Sequence, residues 1–107
     1  MSVPEIIEIV SEFYGIDAGS QSRKRTHIEP RLVAMFIARK RFPGMPDANI
    51  ADSFGKERGS VRQAVSRITE MVSKDPEAEK RVNTLFRKVV EAEGGEVRGT
   101  FMVEVRV

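Results

Sequence analysis

The sequence predicts an all-α fold: a helical bundle carrying a helix-turn-helix, plus a short β-strand at the C-terminal end. Three observations predict it. Between proline and glycine marks lie five segments of helical length whose apolar residues recur at helical spacing. Two of them, a short segment 47–54 and a longer one 60–73, are separated only by Gly55-Lys56-Glu57-Arg58-Gly59, the form of a helix-turn-helix. Only Thr100 to Val107 alternates with period two. A chain of 107 residues is one domain. Residues 1–93 are read as the helix-turn-helix unit and 94–107 as an extension.

Taken in order, residues 4–14 place Ile6, Ile7, Val10, Phe13 and Tyr14 on one stripe, with Pro4 suited to a first turn and Gly15 to a stop. Residues 17–28 are polar and basic, a loop with room for one helical turn. Residues 30–42 put Leu32, Val33, Phe36 and Ile37 on a stripe, with Pro30 at the first helical position. In 47–54, Asp47 is placed to cap and Ile50, Ala51 and Phe54 face inward. In 60–73, Val61, Ala64, Val65, Ile68 and Val72 face inward, and Ser60 with Gln63 forms a capping box. Residues 76–92 carry Val82, Leu85, Phe86, Val89 and Val90, with Pro76 at the start and Gly94 past the end.

Composition narrows the function. Hydrophobic residues make up 40% and charged residues 32%, an ordinary globular balance, and no apolar run approaches a membrane span. No basic region opens the chain as a signal peptide would require, so a cytoplasmic, nucleoid-associated location is expected. The absence of cysteine excludes a disulfide scaffold, a zinc finger and a thiol nucleophile. With His27 the single histidine, no metal site is expected, and His27 is read as a surface or boundary residue. No carboxylate pair, nucleophile–base couple or phosphate loop is visible, and Gly55-Lys56 lacks the rest of a P-loop. The expectation is a protein that is not an enzyme, with no cofactor and no bound nucleotide.

The net charge of +2 hides a strong asymmetry: residues 1–22 carry −4, residues 23–67 carry +7, and residues 68–107 carry −1. A confined positive field is the electrostatic footprint of a nucleic-acid face. The start of the 60–73 helix offers Arg58, Ser60, Arg62 and Gln63, followed outward by Ser66 and Arg67, with Lys56 in the turn. Arg suits guanine, Gln adenine, and Ser either, and the second helix of such a motif enters the major groove by its N-terminal end. A solvated polar face is the plain alternative; against it stands the absence of acids on that outer face before Glu70. Arg23-Lys24-Arg25, preceded by small residues, has the composition of an arm that tracks phosphates or enters a narrow minor groove. Arg31 and Arg39-Lys40-Arg41 extend the basic set, although cations at a helix C-terminus are favourable in any case. The expected partner is double-stranded DNA, with no membrane. The rivals are a scaffold that turns its basic face to an acidic protein, and an RNA binder, for which the chain has few aromatics to stack bases.

Four stretches carry a resemblance. "IIEIVSEFYGI", "SRKRTHIEPRLVAMFIARKRF", "ANIADSFGKERGSVRQAVSRI" and "DPEAEKRVNTLFRKV" resemble, in that order and spacing, the C-terminal DNA-binding domain (domain IV) of the bacterial replication initiator family DnaA. The resemblance covers about residues 4–90. It implies an all-helical fold of the domain IV, Trp-repressor-like kind, binding short duplex boxes at a replication origin. The family's turn, Arg-Asp-His-Thr-Thr-Val, is Lys56-Glu57-Arg58-Gly59-Ser60-Val61 here. Three base-reading positions are therefore Glu57, Arg58 and Gly59, and the second threonine is Ser60. The family's arginine after the proline persists as Arg31, while the glutamine usual after it is Leu32. Its minor-groove arginine corresponds to Arg23 or Arg25, the gap-free match favouring Arg23. The resemblance thus implies retained phosphate contacts and altered base specificity.

A chain of this length has no room for the family's ATPase domain. An excised domain and a small stand-alone regulator both fit; Met1, immediate entry into the first helix and the tail favour the second. In the tail, Phe101, Val103, Val105 and Val107 share one side. A lone strand needs a partner. Disorder, a hairpin back to 96–98, and pairing with the tail of a second chain are the outcomes open to it. Pairing is favoured, giving a homodimer through residues 100–107.

Overall fold

The structure, a computed structural model, describes residues 1–20 and 22–94; the strand expected at 100–107, and the dimer built on it, lie outside those residues. Among the described residues five helices follow one another: α1 (Val3–Tyr14), α2 (Arg25–Arg41), α3 (Asp47–Asp52), α4 (Gly59–Lys74) and α5 (Pro76–Ala92). Among the described residues there is no strand. No helix there is long and apolar enough to cross a membrane. Helix α2 packs against α1, α3 and α4, and α5 closes the bundle by lying on α1 and α4.

Local chemistry explains most of the boundaries. Ser2 caps α1: its Oγ accepts the Glu5 N–H at 3.4 Å while the Glu5 carboxylate accepts the Ser2 N–H at 2.8 Å. The helix stops at Gly15, whose φ of 69° is costly for a residue with a Cβ. Asp75 caps α5 by accepting the Glu77 N–H at 3.0 Å, with Pro76 in the first turn.

Four details of the sequence reading are corrected. Helix α2 begins at Arg25, inside the segment read as loop, so Pro30 is an interior and buried residue rather than the first helical one. The helix tolerates it because Pro30 is only the sixth residue, and the lost N–H would have bonded the first turn. Asp47 does not cap α3; it is the first helical residue and its carboxylate pairs with Arg39. Helix α3 ends at Asp52, and Phe54, buried as expected, belongs to the turn. Ser60 and Gln63 form no capping box. Arg58 is already helical (φ −54°, ψ −33°), and the Ser60 and Val61 N–H groups bond to Glu57 O and Arg58 O at 2.9 and 3.2 Å. With those donors satisfied by backbone, no side-chain cap is called for.

The core follows the apolar stripes, with one exception in α1. Phe13 is 39% exposed, edge-on to Tyr14. In α2 the burial is continuous: Val33 through Ala38 are all buried, so this helix is enclosed on every side along its middle. Ile50, Ala51 and Phe54 anchor α3 and its turn, and Val61, Ala64, Ile68 and Val72 anchor α4, with Val65 half-buried beside them.

One polar cluster joins three helices. Tyr14 Oη donates to Glu29 Oε2 at 2.5 Å, and Arg81 Nε and Nη2 donate to the same carboxylate at 3.2 and 3.4 Å. It pins the end of α1 and the start of α2 to α5. Burial, reinforced by the neighbouring Glu29 carboxylate, pushes the Tyr14 phenol far above its ordinary pKa of 10.0. A phenol that holds its proton more tightly when folded stabilises the fold fully below the unfolded-state value, and that contribution is lost as pH rises beyond it. Tyr14→Phe is therefore expected to cost about 1–2 kcal/mol at pH 7. Urea titrations should show the wild-type advantage over Tyr14→Phe shrinking as pH rises above 10.0. An advantage that grows with alkaline pH would contradict the cluster.

Candidate nucleic-acid interface

The unit α3–turn–α4 is built around two buried anchors, Ile50 and Phe54, and one glycine. Gly55 adopts φ 64°, which reverses the chain, while its N–H bonds Asp52 O and the Lys56 N–H bonds Ala51 O, both at 3.1 Å. The turn therefore closes on the end of α3 by backbone bonds alone. Lys56, Glu57 and Arg58 keep side chains with no internal bond, Glu57 and Arg58 exposed and Lys56 half-exposed.

Helix α4 presents two flanks. Lys56, Ser60, Gln63 and Arg67 line a shallow groove of about 180 Å³ against α2, whose wall includes Arg31 and Leu32. On the other flank Arg58, Gly59 and Arg62 line a groove against Pro46, Asp47 and Ala48 at the start of α3. Arg25 and Arg67 line a further groove together with Glu29, Glu70 and Lys74 and the apolar Ile28, Leu32, Ile68 and Met71. The structure thus brings Arg31, Lys56, Ser60, Gln63 and Arg67 together, places Arg58 and Arg62 alongside, and joins Arg25 to Arg67. Arg23 and Lys24 lie exposed just ahead of α2, Lys24 at its N-cap position. His27 is half-buried near the Thr26 hydroxyl.

The basic residues of 23–67, taken with Arg81, divide into two groups. In the first, the charge is consumed by the fold. Arg39 pairs with Asp47 and donates from Nη2 to Phe42 O and, at 2.7 Å, to Met45 O, fixing the α2–α3 connection. Arg41 pairs with Glu93 at the far end of α5 and lies over the Phe86 ring. Arg81 is held by Glu29. Lys40 stands over Phe36 with its ammonium 5.6 Å from the ring centre. The stretch 39–41, read from sequence as an extension of the basic face, is therefore in large part structural. Arg31 is intermediate: Nη1 donates to Ser20 O at 2.8 Å and Ser22 O at 3.0 Å, and its other donors have no acceptor among the described residues.

In the second group, Arg23, Lys24, Arg25, Lys56, Arg58, Arg62 and Arg67 have no ion pair among the described residues. All seven belong to the segment leading into α2 and its first residue, or to the turn and the first nine residues of α4. The acids of the same stretch are partly cancelled, Glu29 by Arg81 and Asp47 by Arg39. On α1, Glu5, Glu8 and Glu12 are exposed. Sequence reasoning missed Tyr14, Glu29 and Arg81 as a polar unit. The available signal was a tyrosine hydroxyl on an otherwise apolar stripe, which requires a partner.

These features define an all-helical helix-turn-helix domain with a concentration of unpaired cations about the start of its second helix. The family described as "Bacterial dnaA protein helix-turn-helix" matches residues 3–68, and the chain belongs to that family. Curated relatives agree. The chromosomal replication initiator protein DnaA of Deinococcus radiodurans is 31% identical over 93 residues, 83% of this chain and 20% of its own length. The protein of that name from the Wolbachia of Brugia malayi is 32% identical over 90 residues (79% and 19%), and that from Laribacter hongkongensis 37% over 81 residues (72% and 17%). This chain spans about a fifth of the length of these relatives.

The two groups of cations should separate by mutation. Arg39→Met removes an ion pair and two carbonyl contacts and is expected to lower unfolding stability by about 1–3 kcal/mol. Arg58→Ala, with no internal partner to lose, is expected to stay within about 0.5 kcal/mol of wild type. Paired urea denaturation curves check both, and equal losses would contradict the division.

Proposed function

We propose that this domain binds double-stranded DNA, in replication initiation or its regulation, without catalysing a reaction and without holding a nucleotide or a metal. The observation that carries the reading is the sorting of charge. Among the described residues the fold pairs Arg39, Arg41 and Arg81 internally and leaves seven cations of the central stretch, Arg23, Lys24, Arg25, Lys56, Arg58, Arg62 and Arg67, without an ion pair, against three, Lys80, Arg87 and Lys88, on α5. Such cations gain by releasing counterions from phosphates. Family membership and the names of the relatives support the same conclusion.

Labour divides by position. Arg58, Ser60, Arg62 and Gln63 occupy the first turns of α4, where base edges are met in the major groove. Arg23 and Lys24 precede α2, Arg25 opens it, and the three suit the phosphate backbone or a narrow minor groove. Lys56, Arg67 and the outer donors of Arg31 complete the phosphate contacts. Because Glu57, Arg58 and Gly59 stand at three base-reading positions of the family motif, discrimination for the family's own box is expected to be poor. Each lost contact costs about 1–3 kcal/mol of discrimination.

Fluorescence anisotropy against duplex DNA tests the reading. With roughly 5 phosphate contacts, log affinity should fall against log salt with a slope of about −4 to −5. Arg58→Ala and Gln63→Ala should change which sequences bind, whereas Arg23→Ala and Arg25→Ala should weaken all duplexes, or A·T-rich ones most. A slope near zero would overturn DNA binding and favour an acidic protein partner.

A further inference from the structure

The guanidinium of Arg31 is half-buried and turned back onto the chain that leads into its own helix. One nitrogen, Nη1, donates to two carbonyls, Ser20 O at 2.8 Å and Ser22 O at 3.0 Å. Those carbonyls lie immediately before Arg23, Lys24 and Arg25. The other bonds along this stretch are local. Gly19 N–H reaches Asp17 Oδ1 at 2.9 Å, Ser22 N–H reaches Ser20 Oγ at 3.0 Å, and Lys24 N–H reaches Ser22 Oγ at 3.1 Å. Each spans two residues, so each shapes a turn without fastening it to the bundle. The fastening at the α1 side runs through Ala18, whose N–H bonds Ser11 Oγ at 2.8 Å, to Gly19, which lies against the Ile7 side chain. Among the described residues, no side chain of the helical body other than Arg31 hydrogen-bonds to Gly19, Ser20, Ser22 or Arg23.

We propose that Arg31 is a positioning residue for the basic arm, setting Arg23, Lys24 and Arg25 in place before a duplex arrives, rather than acting only as a phosphate contact of its own. This rests on the DNA-binding reading and deepens it. Charged N–H groups make the stronger kind of hydrogen bond to a carbonyl. The rigid planar fork of arginine spends little side-chain freedom in holding two acceptors at once. An arm already held in position loses less conformational freedom on binding, so the effect of the clamp is felt as affinity. Helix α2, which carries Arg31, is itself pinned by Glu29, two residues away, to Tyr14 and Arg81. The anchor is therefore part of the bundle and not of the arm.

A double-mutant cycle on duplex affinity, joined to amide exchange in the free protein, tests the proposal. Arg31→Met keeps the aliphatic stem and removes the donors. Alone it should weaken binding by about tenfold, yet in a chain already carrying Arg23→Ala and Arg25→Ala its further effect should fall to about threefold or less, the part owed to its own phosphate contact. A full and additive loss in that background would overturn the positioning role. Without any DNA present, the Ser22 and Lys24 amides of Arg31→Met should exchange at least about tenfold faster, with the amides of α4 unchanged. Unchanged exchange at Ser22 and Lys24 would overturn the clamp whatever the DNA result. Failure of the wild-type chain to bind duplex at low salt would overturn the DNA reading, and the arm's role with it, separately from the exchange measurement.

Discussion

The enclosure of α2 is the constraint on which the rest of the molecule depends. Six consecutive residues, Val33 to Ala38, are buried, which is possible only if neighbours cover the helix all round. Helices α1, α3 and α4 supply that cover directly, and α5 braces α1 and α4 around it. A helix buried in this way has no polar face along its middle, so its polar side chains are concentrated toward its two ends. At the first end stand Glu29, gripping Tyr14 and Arg81, and Arg31, gripping two carbonyls of the incoming chain. At the other, Arg39 holds the connection to α3 and Arg41 holds Glu93 beyond α5. The ends of α2 thus tie down all its neighbours except α4, which is held by apolar packing through Val61, Ala64, Ile68 and Val72.

That arrangement accounts for the field the domain presents. Arg39, Arg41 and one nitrogen of Arg31 are spent on structure, and so are the acids of the ties, Glu29, Asp47 and Glu93. The cations left without partners in the central stretch are those placed off the core, on the arm and on the turn and outer face of α4. The exposed glutamates of α1 belong to a helix that packs on α2 and α5. A duplex drawn to the unpaired cations gains by meeting the α4 side and is repelled by the glutamates of α1, so charge supplies orientation as well as attraction.

Much of the fold was legible because the apolar stripes of α3, α4 and α5 repeat at helical spacing and end at glycine, proline or a capping aspartate. Ile50, Phe54, Val61, Ile68, Val82 and Leu85 are all buried where the stripes put them. The start of α2 was less legible, because Pro30 reads most simply as a first helical residue, and the turn before it, Arg25 to Glu29, is too polar to show a stripe. The capping role assigned to Ser60 failed for a related reason: the preceding Arg58 already has helical dihedrals, which residue type alone does not announce. At the candidate site, sequence could name the basic residues without sorting them. Arg39 and Arg62 are the same residue type on neighbouring helices. What separates them is a set of carbonyls and carboxylates that converge only when α2, its following loop and α3 have folded together. The polar unit of Tyr14, Glu29 and Arg81 spans 67 positions of chain and leaves no local pattern.

The central claim is that the unpaired cations around the start of α4 and before α2 form one surface that takes double-stranded DNA. Titrating duplex into isotopically labelled protein and following backbone and arginine side-chain signals by NMR tests it most directly. The account predicts that shifts concentrate at Arg23, Lys24, Arg25, Lys56, Arg58, Arg62, Gln63 and Arg67, with the signals of Glu5, Glu8, Glu12, Arg39 and Arg81 unmoved. Shifts centred on α1 or α5, or spread evenly over the molecule, would contradict it.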